Sequence, residues 1–221
     1  MDYYPVNLDV RNRHCLVVGG GAVGTRKALT LIKCGADVTV VGPEADAELL
    51  ELEKAGEVRL KKKKYESSDL KGAFLVFVAT DDARLNQNIH ADARQQNVLC
   101  NIADCPEKCD FILPSVISRG DLTITVSTAG KSPALSRKLR IELEQQFGLE
   151  YEVFLHLMGK IRQCLLVQDH DNQAHGRLFR RLVESDLIDE IRKGQTDQID
   201  TRLKEILGES YSFDKLMQMD I

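Results

Sequence analysis

The run Cys15-Leu16-Val17-Val18-Gly19-Gly20-Gly21-Ala22-Val23-Gly24, continued by Thr25-Arg26-Lys27-Ala28-Leu29, decides how the chain folds. An apolar stretch rich in β-branched residues enters a glycine turn, and a helical pattern leaves it. Gly19-x-Gly21-x-x-Gly24 has the dinucleotide-binding spacing. The first glycine permits a tight turn, the second lets backbone approach a diphosphate, and the third lets helix pack closely on strand. A helix starting near Ala22 offers unpaired N–H groups and its positive dipole end to that anion. The spacing alone is common. Here a strand, His14 to Val18, precedes it, and a helix, Ala22 to Lys33, follows it and is ended by Gly35. A second strand, Asp37 to Val41, comes at the distance of a βαβ unit.

At the end of that second strand an NAD-binding unit carries an acidic side chain for the ribose hydroxyls. Gly42 occupies this place and Glu44 lies beyond it, so either backbone around Pro43 and Glu44 holds the ribose or Glu44 starts a helix. With no basic residue in this turn a 2′-phosphate lacks a partner, which favours NAD over NADP. A helix over Ala45 to Lys54 and a strand over Val58 to Leu60 follow. Lys61-Lys62-Lys63-Lys64 reads as a solvated strand end, because no aromatic or arginine cluster completes a polyanion site. Phe74 to Ala79 is a continuous apolar run, as a strand covered on both faces requires. Thr80, Asp81 and Asp82 stand at its carboxyl end, where open α/β sheets bind ligands. Asp81 or Asp82 either caps the helix over Ala83 to Gln95 or contacts the cofactor ribose. The strand Val98 to Ala103 again ends among polar groups, Asn101 and Asp104.

Beyond it the period changes. Phe111 to Ile117 and Leu122 to Val126 read as a hairpin with one apolar and one polar face, turning at Ser118-Arg119-Gly120-Asp121. Thr128 to Pro133 opens a helix, and from Phe147 onward apolar residues recur at helical spacing to a stop at Gly208. The expected fold is α/β: a Rossmann-like parallel sheet over residues 1–113, a hairpin-plus-helix region over 114–146 and an all-helical region over 147–221. Composition is that of a soluble globular protein, with 43% hydrophobic and 29% charged residues in 221. A formal net charge of −4 argues against general binding to nucleic acid or acidic membranes. The chain has neither a membrane-length apolar stretch nor a signal-peptide pattern at its start, so a cytoplasmic location is expected. Cys15, Cys34 and Cys100 read as small buried hydrophobes. Cys105 and Cys109, without a second pair, make a poor zinc signature, and no metal site is expected.

Taken together, Gly19 to Val23 with Arg26-Lys27-Ala28, Ala79 to Asp82, Cys100 to Asp104, Phe111 to Ser115 and Ser127 to Pro133 resemble the sirohaem synthase N-terminal region. This is the precorrin-2 dehydrogenase family, some members of which also act as sirohydrochlorin ferrochelatases. The chain ends where fused forms continue into a methyltransferase domain, so the stand-alone form is expected. The resemblance implies an NAD-dependent oxidation of precorrin-2 to sirohydrochlorin by a homodimer built on the hairpin region, and it places the key carboxylate at Asp104. A carboxylate there is a sensible acceptor for the proton that leaves with the hydride, whereas the bland reading is a cap on the Pro106-Glu107-Lys108 turn. The expected cofactor contacts are Gly19, Gly21, Ala22, Val23, Gly24, Pro43, Glu44, Thr80 and Asp81. The expected donors to the carboxylate-rich tetrapyrrole are Asn101, Ser127, Thr128, Lys131 and Ser132. Two other classes remain open: a Rossmann oxidoreductase acting on a small acid, and a non-catalytic NAD-sensing regulatory domain.

Overall fold

Cys15 and Val17 leave the first strand on one side, Leu16 and Val18 on the other, and none of the four is more than 2% exposed. Such a strand has to be covered on both faces. The computed structural model describes residues 3–103, 105–168 and 172–219. In it this strand, β1 (His14–Val18), lies at the centre of a five-stranded parallel sheet. β2 (Asp37–Val41) and β3 (Arg59–Lys61) lie to one side of it, β4 (Leu75–Val78) and β5 (Leu99–Ile102) to the other. Helices α1 (Ala22–Lys33) and α2 (Ala47–Lys54) cover the face of Cys15 and Val17, burying Ala28, Leu31 and Leu49. Helix α3 (Ala83–Gln96) covers the face of Leu16 and Val18 through Ile89 and Ala93. The order β3-β2-β1-β4-β5 reverses direction between β1 and β4, which opens a crevice at their carboxyl ends.

The two compact units of the chain are residues 1–113 and 114–221. In the second, β6 (Ser115–Arg119) and β7 (Leu122–Val126) pair antiparallel with Ile117 opposite Ile124, and Gly120 turns between them at φ +55°. α4 (Pro133–Gln146) packs on this hairpin and buries Ile117. Arg119 ties the hairpin to the end of that helix, donating from Nε to the carbonyl of Phe147 at 2.9 Å. Five further helices follow: α5 (Glu150–Gln168), α6 (Asn172–Val183), α7 (Leu187–Arg192), α8 (Thr196–Leu207) and α9 (Phe213–Met217). Phe154, Leu157, Ile161, Leu182, Leu187, Ile199 and Leu203 form their common core.

The hairpin begins at Ser115 rather than Phe111, because Phe111 belongs to the first unit. Its ring meets Phe77 edge-on at 5.6 Å, and its carbonyl accepts the Asn101 side-chain amide at 2.8 Å. α2 begins at Ala47 rather than Ala45, because Glu44 and Asp46 fold back over the glycine turn. Cys34, expected inside, is exposed at the C-terminus of α1.

The lysine run is more than a solvated end. Lys61 and Lys63 each approach the buried Asp69 to 3.0 Å, and its carboxylate also accepts the Glu66 N–H at 3.0 Å. Burial would raise the Asp69 carboxyl, but the Glu66 N–H and the two ammonium groups outweigh it and hold the group below its ordinary value. The stability it adds is therefore complete above the unfolded carboxyl's titration and fades as pH falls through the folded one. Asp69→Asn is expected to lower stability by about 1–2 kcal/mol at neutral pH. Urea unfolding of both proteins should show the gap closing as the pH is brought below about 4.

Candidate functional site

Three glycines of the turn are there because the chain touches itself. Gly19 has φ +110°, and a Cβ on it would overlap the carbonyl of Ala79 just beyond β4. A Cβ on Gly20 would overlap the carbonyl of Glu44, and one on Gly24 the carbonyl of Gly19. Gly21 is different. It is exposed, and a Cβ there would meet nothing within 4 Å. Gly21 is also the N-cap of α1, and with no side chain to cap them the N–H groups of the first turn face outward. No acidic side chain occupies that turn. An open approach, a cluster of aimed donors and a positive dipole end together fit a dinucleotide's diphosphate. Ala22 and Val23 are exposed beside Gly21, whereas Gly24 is buried in the helix–strand contact.

Thr25 fixes the turn from below. Its hydroxyl lies 3.1 Å from the Gly21 carbonyl and 3.2 Å from the Asp46 carboxylate, while the Asp46 N–H donates to Gly20 O at 2.8 Å. The segment Pro43 to Asp46 thus lies across Gly20, and Glu44 precedes the helix instead of starting it. Gly42 is buried, and a Cβ on it would lie 3.1 Å from the Gly20 nitrogen and 3.2 Å from the Glu44 carbonyl oxygen, so a side chain there would press on the glycine turn. Pro43 and the Glu44 side chain are exposed at this edge.

Across the crevice, Thr80 is held by Asn86 through two bonds, hydroxyl to Oδ1 at 2.5 Å and Nδ2 to the Thr80 carbonyl at 3.0 Å. Asp82 caps α3, accepting from Arg84 and Leu85 N–H at 2.9 and 3.0 Å, which leaves Asp81 exposed at the carboxyl edge. At the end of β5, Asn101 is buried with its amide on Phe111. Lys27 on α1 places its ammonium 5.2 Å from the centre of the Phe77 ring beside it. Asp104 lies outside the described residues. Its neighbours are anchored: Ala103 N–H donates to Val78 O at 2.9 Å, and Cys109 Sγ accepts the Ile102 N–H at 3.2 Å. Burial raises the Cys109 thiol, and the bond to Glu107 raises that of Cys105, so neither is a ready thiolate.

In the second unit the polar loop after β7 is self-braced. Thr128 Oγ1 accepts the Ser132 N–H at 3.1 Å, Ser127 Oγ accepts the Ala129 N–H at 3.2 Å, and Ser132 Oγ caps α4 at Leu135 N–H, 3.3 Å. Ala129 and Gly130 both have positive φ, +51° and +78°. These bonds present Lys131 exposed at the tip, one residue ahead of the helix N-cap.

Sequence reasoning missed Gly20, Gly42, Asp46 and Asn86. The unbroken Gly19-Gly20-Gly21 and the Gly42-Pro43 pair were visible signals of a close crossing. The Asn86 clamp on Thr80 leaves no local pattern.

Comparison with known proteins agrees with this geometry. Residues 6–115 match the family described as "Putative NAD(P)-binding", and residues 119–146 match "Sirohaem biosynthesis protein central". The siroheme synthase of Nitrosococcus oceani is 33% identical over 207 residues, 94% of this chain and 44% of that protein. The siroheme synthase of Photobacterium profundum is 42% identical over 195 residues, 88% of this chain and 42% of that one. The chain thus spans less than half the length of these relatives. A solved structure titled "SirC, precorrin-2 dehydrogenase" superposes with a TM-score of 0.79 at 28% identity, covering 95% of this chain and all of that one.

The two kinds of glycine separate experimentally. Gly21→Ala should lower thermal stability only modestly, by about 0.5–1 kcal/mol for the poorer N-cap. It should weaken dinucleotide binding about tenfold by closing the approach. Gly24→Ala should instead destabilise the fold by about 1–3 kcal/mol. Calorimetric titration and thermal melts of the two variants check this.

Proposed function

The chain belongs to the family of the sirohaem synthase N-terminal region, and we propose that it catalyses the NAD-dependent oxidation of precorrin-2 to sirohydrochlorin. The observation that carries the reading is the open backbone approach at Gly21, at the switch point of the sheet, in a chain whose 119–146 stretch matches the sirohaem central family. The first-turn N–H groups of α1 hold the diphosphate, and the backbone of Pro43 and Glu44 lies toward the ribose. Thr80, fixed by Asn86, and Asp81 line the opposite edge. Bound NAD supplies the hydride acceptor. Each turnover releases a proton as well, and Asp104 is the carboxylate assigned to take it and pass it to water. Ser127, Thr128, Lys131 and Ser132 offer donors to the acetate and propionate groups of the macrocycle, with Lys131 the exposed cation among them. Asn101 acts from inside, holding Phe111 and the chain that follows it.

Residues 114–146 are assigned to dimerisation and substrate, 147–221 to a helical support. Leu135 and Ile141 on α4 and Val116 on β6 are 46%, 41% and 49% exposed, an apolar surface suited to a second copy. No helix among the described residues is long and apolar enough to cross a membrane, and a cytoplasmic biosynthetic enzyme is the reading we adopt.

An anaerobic assay with precorrin-2 and NAD, followed at the sirohydrochlorin absorbance and by NADH, tests the assignment. Turnover is expected, and repeating it with ferrous or cobaltous ion reads metal insertion separately. Binding without turnover would favour the regulatory class, and no affinity for tetrapyrroles would favour a small-acid oxidoreductase. Asp104→Ala should abolish NADH production while NAD still binds; retained turnover removes it from the mechanism. Lys131→Ala should raise the KM for precorrin-2 and leave NAD binding unchanged, and equal loss of both contradicts its assignment.

A further inference from the structure

The face that α1 turns to the sheet carries a charge. Gly24, Ala28 and Leu31 are buried along it, and Lys27 stands at helical spacing between the first and the last of them. Side chains on a helix lean toward its N-terminus, which for α1 is the glycine turn at the carboxyl end of β1. Lys27 is half-buried, and its ammonium lies 5.2 Å from the centre of the ring of Phe77, the penultimate residue of β4. The same charge acts on the chain beyond β5. Burial raises the Cys109 thiol, Asp110 and Glu107 raise it further, and the Lys27 ammonium opposes them. The chain on either side of position 104 is pinned at this corner. Ala103 N–H donates to the Val78 carbonyl at 2.9 Å, and Cys105 N–H to the Ile102 carbonyl at 3.4 Å. The acidic groups nearby have other tasks: Asp110 accepts the Cys100 N–H at 2.8 Å, Glu107 accepts from the Cys105 thiol at 2.9 Å, and Asp82 caps α3. Arg26, Asp81 and Arg84 are exposed, and His90 lies about two turns along α3. Lys108, on the Pro106–Lys108 turn, is the other cation of this corner.

From these placements we infer that Lys27 is a positioning residue for the proton-transfer step: its ammonium pairs with the Asp104 carboxylate and holds it as the anion the reaction needs. Apolar surroundings such as the Phe77–Phe111 pair favour a neutral acid, whereas a proton acceptor has to begin each turnover empty. An opposite charge within reach reverses that preference. The electron pair leaves precorrin-2 as hydride to bound NAD, the proton passes to the carboxylate and on to water, and Lys27 keeps its own proton throughout.

The inference rests on the oxidation reading, and the test keeps the two apart. The full chain, isotope-labelled at its aspartate carboxyls, is titrated by NMR, the Asp104 signal being the one that Asp104→Asn removes. Lys27→Met, which keeps an apolar stem against Phe77, is expected to raise that titration by about 1–2 pH units, and Lys27→Arg to leave it near the original value. The acid limb of kcat should move up with it in Lys27→Met, while the KM for precorrin-2 and the affinity for NAD stay unchanged. Should Lys27→Met melt too early, Lys27→Gln serves the same comparison. An unmoved Asp104 titration overturns the inference. So does a raised KM with the acid limb in place, which makes Lys27 a substrate contact, and so does a shift produced by Lys108→Met but not by Lys27→Met. A chain that leaves precorrin-2 unoxidised, yet whose Asp104 titration moves with Lys27, overturns the oxidation reading and upholds the pairing.

Discussion

Backbone lying directly on backbone is the constraint from which the first unit follows. Gly19 against Ala79, Gly20 against Glu44 and Gly24 against Gly19 leave no space for a single methyl group. These contacts draw the carboxyl ends of β1, β2 and β4 together. They also orient the first turn of α1 so that its N–H groups converge on Gly21, where the crowding stops. A densely packed interior transmits such small displacements instead of absorbing them. The same contacts that hold the strand ends therefore hold the anion site in register.

The two faces of the sheet are served by alternate residues of the same strands. Cys15, Val17, Val38, Val40 and Phe77 supply the core beneath α1 and α2, and Leu16, Val18, Val41, Val76 and Val78 the core beneath α3. A slip of one residue in β1 would exchange the two sets, and with them the direction of the glycine turn. Functional placement and packing are decided by one register. In the second unit the hairpin has only one buried face, and Arg119 compensates by holding the end of α4 through carbonyls of Glu144 and Phe147.

Much of this was readable from local pattern. The bounds of β1, α1 and β2 coincide with the apolar run, the helical spacing and the turn residues that delimit them. The stripe from Phe154 through Ile161 to Leu165 is core, as its period requires. What escaped depends on partners distant in sequence. Phe111 looks like the start of a strand until Phe77, 34 positions earlier, takes its ring. Lys61 and Lys63 look solvated until Asp69 is buried between them. Asp82 was one of two equal candidates for a cap, and the choice was settled by its geometry at Arg84 and Leu85. Asn101 carried a polar signal at a strand end, yet its amide serves the chain's own fold.

Cys15 and Cys100 are fully enclosed under β1 and β5, and burial pushes their thiols up to about 11 and about 12. Cys34, by contrast, is open to solvent. The molecule thus carries its own clock for breathing of the sheet. An alkylating reagent marks Cys34 at once, and it marks the other two only in the fraction of time that the sheet and the helices covering it part.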